Sequence, residues 1–250
     1  MERLELIGPP GVGKTTVMGA LQQALLRQGR AVLSARWVPL VVKQEQQRAG
    51  LLSRRLESWF YGRQGLQRWM RHKYEKEMVR GEYKRLREAA SPWPEFLAHG
   101  LENAGSTEVD PALRLERLLS FIRQVALAHA VDRLPGRELV LFDEGLAQRG
   151  VSLGQGSEPA VSQVYFRLMP LPKVVINVTA PTEVIHARLT QRNPAVQRFH
   201  AMVESARAIS EDGCRMLAQR GAVVVRVDTG QRPREAVAKA AALIGKACAG

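Results

Sequence analysis

Eight residues, Gly8-Pro9-Pro10-Gly11-Val12-Gly13-Lys14-Thr15, spell a complete G-x-x-x-x-G-K-[ST] pattern between an apolar run, Leu4-Glu5-Leu6-Ile7, and a segment of helical periodicity. Few short patterns restrict a fold so tightly. A buried strand must deliver the chain to a tight turn, and glycines must let backbone N–H groups face an anion with no Cβ in the way. A helix must then start at the turn and aim its positive end at the same point. The expectation is a strand-loop-helix unit that binds a nucleoside triphosphate. Gly8, Pro9, Pro10, Gly11, Val12, Gly13, Lys14, Thr15 and Thr16 form its cradle; Lys14 reaches the β- and γ-phosphates and Thr15 ligates Mg²⁺.

A second landmark is Glu138-Leu139-Val140-Leu141-Phe142-Asp143-Glu144-Gly145. Four apolar residues ending in acids are the form of a buried parallel strand that carries carboxylates to the crevice beside the phosphate loop. Asp143 is the expected metal partner. Glu144 either takes a proton from a hydroxyl acceptor or orients a water, and the choice of base between the two acids stays open here. Gln148 and Arg149 follow directly and should face the same crevice as substrate-binding groups.

Around these landmarks strands and helices alternate. Val17, Met18, Leu21, Ala24 and Leu25 give the first helix, which stops at Gly29. Ala31 to Leu33, Lys173 to Val178 and Ala222 to Val227 read as strands, the middle one β-branched as a central strand should be. Pro181-Thr182-Glu183 opens a helix on which Arg188 and Arg192 share a face. Asp110-Pro111 supplies an N-cap and a first-turn proline to a helix with Leu115, Leu118, Leu119, Ile122, Val125, Ala126 and His129 on its apolar face, where His129 is read as packed. Residues 99–108 read as a loop. The whole is an α/β chain with helices flanking a parallel sheet. Arg36 and Trp37, at the carboxyl end of the second strand, either meet a substrate there or pack beneath a loop.

The stretch Lys43 to Phe96 differs in character, holding thirteen Lys or Arg against seven Glu in a chain whose formal net charge is +13. Trp59, Phe60, Tyr61, Trp69, Tyr74, Tyr83, Trp93 and Phe96 are interleaved with those charges. It reads as two or more helices broken near Gly62 and Gly65. Such a surface suits stacking and phosphate contacts, although aromatic residues facing the core and arginines on a solvated face account for it equally. We take residues 1–250 as one domain and 43–100 as a helical insert within it.

Four stretches together carry a resemblance: the phosphate loop Gly8 to Thr16, Phe142-Asp143-Glu144, the segment from Pro170 to Pro181 leading into Arg188 and Arg192, and Val225 to Gly230. The chain resembles small-molecule P-loop kinases, most of all thymidylate and other nucleoside or nucleotide kinases. The resemblance implies a three-layer P-loop fold with a five-stranded sheet ordered 2-3-1-4-5 and a lid over residues 188–206. It further implies that Arg188 and Arg192 neutralise the transferring phosphoryl group, and that adenine sits by Thr229, Gly230 and Arg232. Where thymidylate kinases place Asp-Arg, this chain has Asp143-Glu144, and the connection from the second strand to the third is about twice as long as theirs. Both departures point away from thymidylate as acceptor.

The expected activity is ATP- and Mg²⁺-dependent phosphoryl transfer to a hydroxyl of a small anionic or glycan-like acceptor. An NTP-hydrolysing switch or a nucleic-acid-stimulated ATPase, with the basic insert on a polyanion, is the alternative; nucleic acid is the less favoured partner. Cys214 and Cys248 are far apart and carry no metal-ligand spacing, which suits a reducing compartment. Neither a basic-then-apolar leader nor a run long enough to span a membrane is present, so the expectation is a cytoplasmic protein.

Overall fold

The computed structural model describes residues 1–46, 64–106, 110–155, 157–192, 200–230 and 233–248. At its centre is a five-stranded, all-parallel sheet in the order β2-β3-β1-β4-β5. The strands are β1 (Glu2–Ile7), β2 (Val32–Ser34), β3 (Leu139–Phe142), β4 (Val174–Thr179) and β5 (Val223–Asp228). β1 lies between β3 and β4, with Leu4 opposite Leu141 on one side and Val174 on the other. Central strands in a parallel sheet lose water on both faces, which explains why β3 is buried throughout and β4 from Val174 to Val178. β5 is an edge strand and alternates instead, burying Val225 and Val227 and exposing Arg226 and Asp228.

Helices cover both faces. On one, α1 (Lys14–Arg27) sets Val17, Leu21 and Leu25 against Leu4, Leu6, Ile176 and Val178, joined by Val237, Ala241 and Ile244 of α10 (Pro233–Ala247). On the other, Ile7 and Val175 meet residues of α5 (Pro111–Arg133), α6 (Leu146–Gly154), α7 (Pro159–Leu168) and α9 (His200–Gln219). α8 (Thr182–Arg192) follows β4 and buries Ile185 and Leu189. Among the described residues no helix is long and apolar enough to cross a membrane.

The basic stretch is built into this core. α2 (Val38–Gln46) and α3 (Gln64–Leu86) pack with α5, and Met78 joins Val38, Val42, Leu127 and Phe142 in a buried cluster. α3 begins at Gln64, so that Gly65 falls in its first turn, and Gly62, where a break was also expected, lies outside the described residues. Residues 99–106 are not a loop: they finish α4 (Trp93–Ser106). Gly100, which reads locally as a helix breaker, is a contact position, since a Cβ on it would lie 2.0 Å from Cζ of Phe121. Phe121 in turn meets Phe96 and Tyr165 in tilted contacts, and those two meet edge-on, with the three ring centroids 4.9 to 6.4 Å apart. Asp110 caps α5 as expected, its Oδ1 accepting from Ala112 N at 2.8 Å. The apolar face of α5 is corrected, however: Leu115 and Leu119 are more than half exposed, and burial starts at Phe121. Trp59, Phe60, Tyr61 and the side chain of Trp69 lie outside the described residues.

Candidate functional site

The phosphate loop crosses from β1 to α1 at the carboxyl edge of the sheet. Gly11 and Gly13 adopt φ of 78° and 98°, left-handed values that a side chain would resist. Gly8 is required by crowding, because a Cβ there would come within 2.5 Å of the Val178 carbonyl. Lys14 opens α1 and its Nζ folds over the loop, donating to Gly8 O at 2.8 Å and Pro9 O at 3.0 Å. Burial pulls its pKa down to about 8, opposed by the carboxylates of Glu144 and then Asp143. The acids at the end of β3 are therefore near enough to act on the loop lysine.

The loop is braced from two sides. Thr229, buried just past β5, donates from Oγ1 to Val12 O at 2.8 Å. Arg188 on α8 donates from Nη1 to Val12 O at 3.2 Å and to Thr229 Oγ1 at 3.0 Å, and from Nη2 to Thr229 O at 2.9 Å. On the opposite side Gln148 Oε1 accepts from Gly8 N at 3.1 Å. A loop whose amides must converge on an anion gains from such fixing, since its donors then need no reorganisation when the charge arrives.

Beside the loop lies a cavity of about 350 Å³. Pro10, Gly11, Gly13, Lys14, Thr15 and Thr16 form one wall; Glu144, Gln148, Arg149, Val151, Ser152 and Gln155 form the other, and Arg192 and Met202 also line it. Gln148, Ser152 and Gln155 are spaced i, i+4, i+7 and so occupy one face of α6 or its end. At the rim Arg149 Nη2 donates to Glu144 Oε2 at 3.1 Å. Asp143 is half-buried and its Oδ1 accepts from Glu144 N at 3.0 Å.

No protein-family model matches the chain, and no curated protein matches it.

Pro10, Gly11, Gly13, Lys14, Thr15, Thr16, Glu144, Gln148, Arg149 and Arg192 thus come together in one cavity, whereas other expected site residues, Gly8, Pro9, Val12 and Asp143 among them, do not line it. Arg36 and Trp37 do not line it. They stack on each other, with the guanidinium 5.5 Å from the ring centroid, in a single 3₁₀ turn after β2, two strands away from β1. Arg188, expected on the transferring phosphoryl, is committed to Val12 and Thr229 and serves as a loop brace. Thr229 supports the loop from below, and Gly230 packs against Pro181, where a Cβ would lie 2.6 Å from Cδ. Arg232 lies outside the described residues, as do residues 193–199 of the expected lid over 188–206, whose two ends belong to α8 and α9. None of the described residues of the insert lines the cavity.

Sequence reasoning overlooked Ser152, Gln155 and Met202, and gave Gln148 a substrate role without its grip on Gly8. It also passed over Glu5, which is fully buried and whose Oε2 accepts from Ala147 N at 2.6 Å. A signal was present: in Arg3-Leu4-Glu5-Leu6, alternation within a strand that must be central puts two charges inside.

Among the described residues no group of three or more His, Cys, Asp or Glu is arranged to hold a metal. Mg²⁺ at a triphosphate seldom uses such a cage, taking one or two protein ligands with phosphate and water oxygens. Thr15, exposed in the cavity wall, and a carboxylate at the end of β3 fit that demand.

Proposed function

We propose that this protein is a P-loop kinase of the thymidylate kinase-like type, which moves the γ-phosphoryl group of ATP to a hydroxyl of a small anionic or glycan-like acceptor. The observation that carries it is the meeting, in one cavity, of a braced phosphate loop, an acid, two arginines and a row of neutral hydrogen-bonding side chains. The loop amides and Lys14 hold the donor phosphates. Arg192, exposed in the cavity wall, offers a positive charge for the phosphoryl oxygens, where the transition state spreads its negative charge. Glu144, in the cavity wall, accepts the proton of the attacking hydroxyl. Asp143 and Thr15 would hold Mg²⁺, which supplies charge neutralisation of the phosphates when bound. Gln148, Ser152 and Gln155 suit an acceptor rich in hydroxyls, and Arg149 suits one that carries a negative charge.

Incubating metabolite and glycan extracts with the protein, Mg²⁺ and γ-labelled ATP tests this. One labelled product, absent with Lys14→Met and reduced at least about a hundredfold with Glu144→Gln, is the expected result. Absence of any product, together with ATP hydrolysis stimulated by DNA or RNA, would instead support the polyanion-dependent ATPase.

A further inference from the structure

β1 carries two charged side chains on the face opposite its leucines. Arg3 and Glu5 lie two residues apart, on the same side of the sheet as Ile7, and both are buried. Arg3 Nη1 is 3.0 Å from Glu5 Oε1, and its Nη2 is 3.2 Å from Asp132 Oδ2 while donating to Pro170 O at 2.7 Å. The second Glu5 oxygen, Oε2, accepts from Ala147 N in the first turn of α6. Gly145, just ahead of that turn, leaves room for the carboxylate: a Cβ on it would lie 2.6 Å from Glu5 Oε2. One residue beyond Ala147, Gln148 reaches back to Gly8 N. Adjacent residues of α6 are thus gripped by one short segment of chain, through Glu5 in the strand and Gly8 in the loop.

A buried ion pair is a poor source of stability, because desolvating two charges cancels most of their attraction, and apolar residues of the same size pack as well. A carboxylate under a helix N-terminus does something an apolar residue cannot. It accepts an otherwise orphaned N–H and meets the positive end of the helix, fixing both position and rotation about the axis. Rotation matters here, because one face of α6 lines the cavity and the other is core.

We propose that Glu5 is a positioning residue, which with Arg3 locks α6 in register with the phosphate loop, so that filling the loop with triphosphate also steadies the acceptor-facing row Gln148, Ser152 and Gln155. The consequence for catalysis rests on the kinase function proposed above; the mechanical link from loop to α6 does not.

Hydrogen exchange on the whole 250-residue chain separates the two. In the wild type, Mg²⁺ with the β,γ-imido analogue of ATP should slow amide exchange in the loop and, about tenfold, in residues 145–149. Arg3→Met/Glu5→Met, which replaces the pair by apolar groups of similar size, should keep the loop protection and lose that at 145–149. Glu5→Gln retains an oxygen for Ala147 N and should recover most of it. Gly145→Ala, which presses on Glu5 from the helix side, should behave as the double variant and serves where that variant fails to fold. Equal protection of 145–149 by the analogue in the wild type and in a folded double or Gly145→Ala variant would overturn the link. With an acceptor in hand, the double variant should raise the acceptor KM about tenfold and leave the ATP KM within about twofold. A loss of folded protein alone would lower the apparent kcat and move neither KM. Should wild-type protein phosphorylate nothing, the exchange result still decides the link, and only the kinase function falls.

Discussion

Lys14 illustrates how much a single residue's surroundings add to its identity. The motif gives the lysine its role, but the pKa of about 8 comes from burial against the loop, only partly opposed by Glu144 and Asp143. Between about 8 and its ordinary 10.5, the unfolded chain keeps a proton that the folded lysine has released, so stability of the free protein rises with pH across that window. The proposed triphosphate binding would run the other way, since it needs the ammonium. Calorimetry from about pH 7 to about pH 9.5 should show ATP affinity falling above pH 8, approaching about tenfold per unit, with proton uptake on binding. A flat profile would mean that the lysine stays charged throughout. Arg188 and Arg192 teach the same lesson. Both were legible as a pair on one helical face, yet Arg188 spends its guanidinium on Val12 and Thr229 while Arg192 lines the cavity. Only the neighbours distinguish them. Accordingly Arg188→Ala should lower the melting temperature and weaken nucleotide binding together, and Arg192→Ala should leave the melting temperature within about 1 °C while slowing transfer.

At the level of elements, α3 is held to the body by a buried carboxylate. Glu82 has no exposed surface and accepts from Arg85 and Arg133 and, through its second oxygen, pairs with His129 Nδ1 at 2.7 Å. His129 is packed, with Trp93 edge-on at 5.0 Å. Burial by itself would raise the Glu82 pKa, but the His129 and Arg133 hydrogen bonds and the nearby arginine charges outweigh it and leave it lowered. A lowered folded pKa gives stability that is full above the ordinary 4.5 and lost as pH falls through the folded value. Glu82→Gln should therefore cost about 1–3 kcal/mol near neutral pH, and the gap in melting temperature from wild type should close in acid. A gap that persists unchanged at low pH would sink the assignment. None of this pairing was visible along the chain, where Glu82 and His129 are ordinary members of two distant helices. The same blindness made Gly100 look like a loop residue. Its neighbour in space, Phe121, comes from another helix, and only that contact explains why a glycine sits there.

Across the whole molecule the two thiols report on global opening. Cys214 and Cys248 are free and buried, and burial pushes both up to about 12, so neither is a reactive thiolate at neutral pH. Labelling by a neutral maleimide should be slow in the native protein, complete in denaturant, and slower still with saturating ATP and Mg²⁺, since a ligand of the folded state lowers the population of open forms. Rapid native labelling would contradict their burial. What the sequence determined by itself was whatever rests on neighbours in the chain. The strand-loop-helix unit around Gly8 to Thr15, the acids ending β3, the capped start of α5 and the alternation of strands with helices are all local, because turns, caps and periodicity act over a few residues. Which charges share a space is settled only by packing. The sheet places Glu5 under α6, Thr229 and Arg188 under Val12, and Arg36, expected to meet a substrate, two strands away from β1 and outside the cavity. Those distances depend on how strands far apart in sequence lie side by side, and a linear chain carries that information only in its sum.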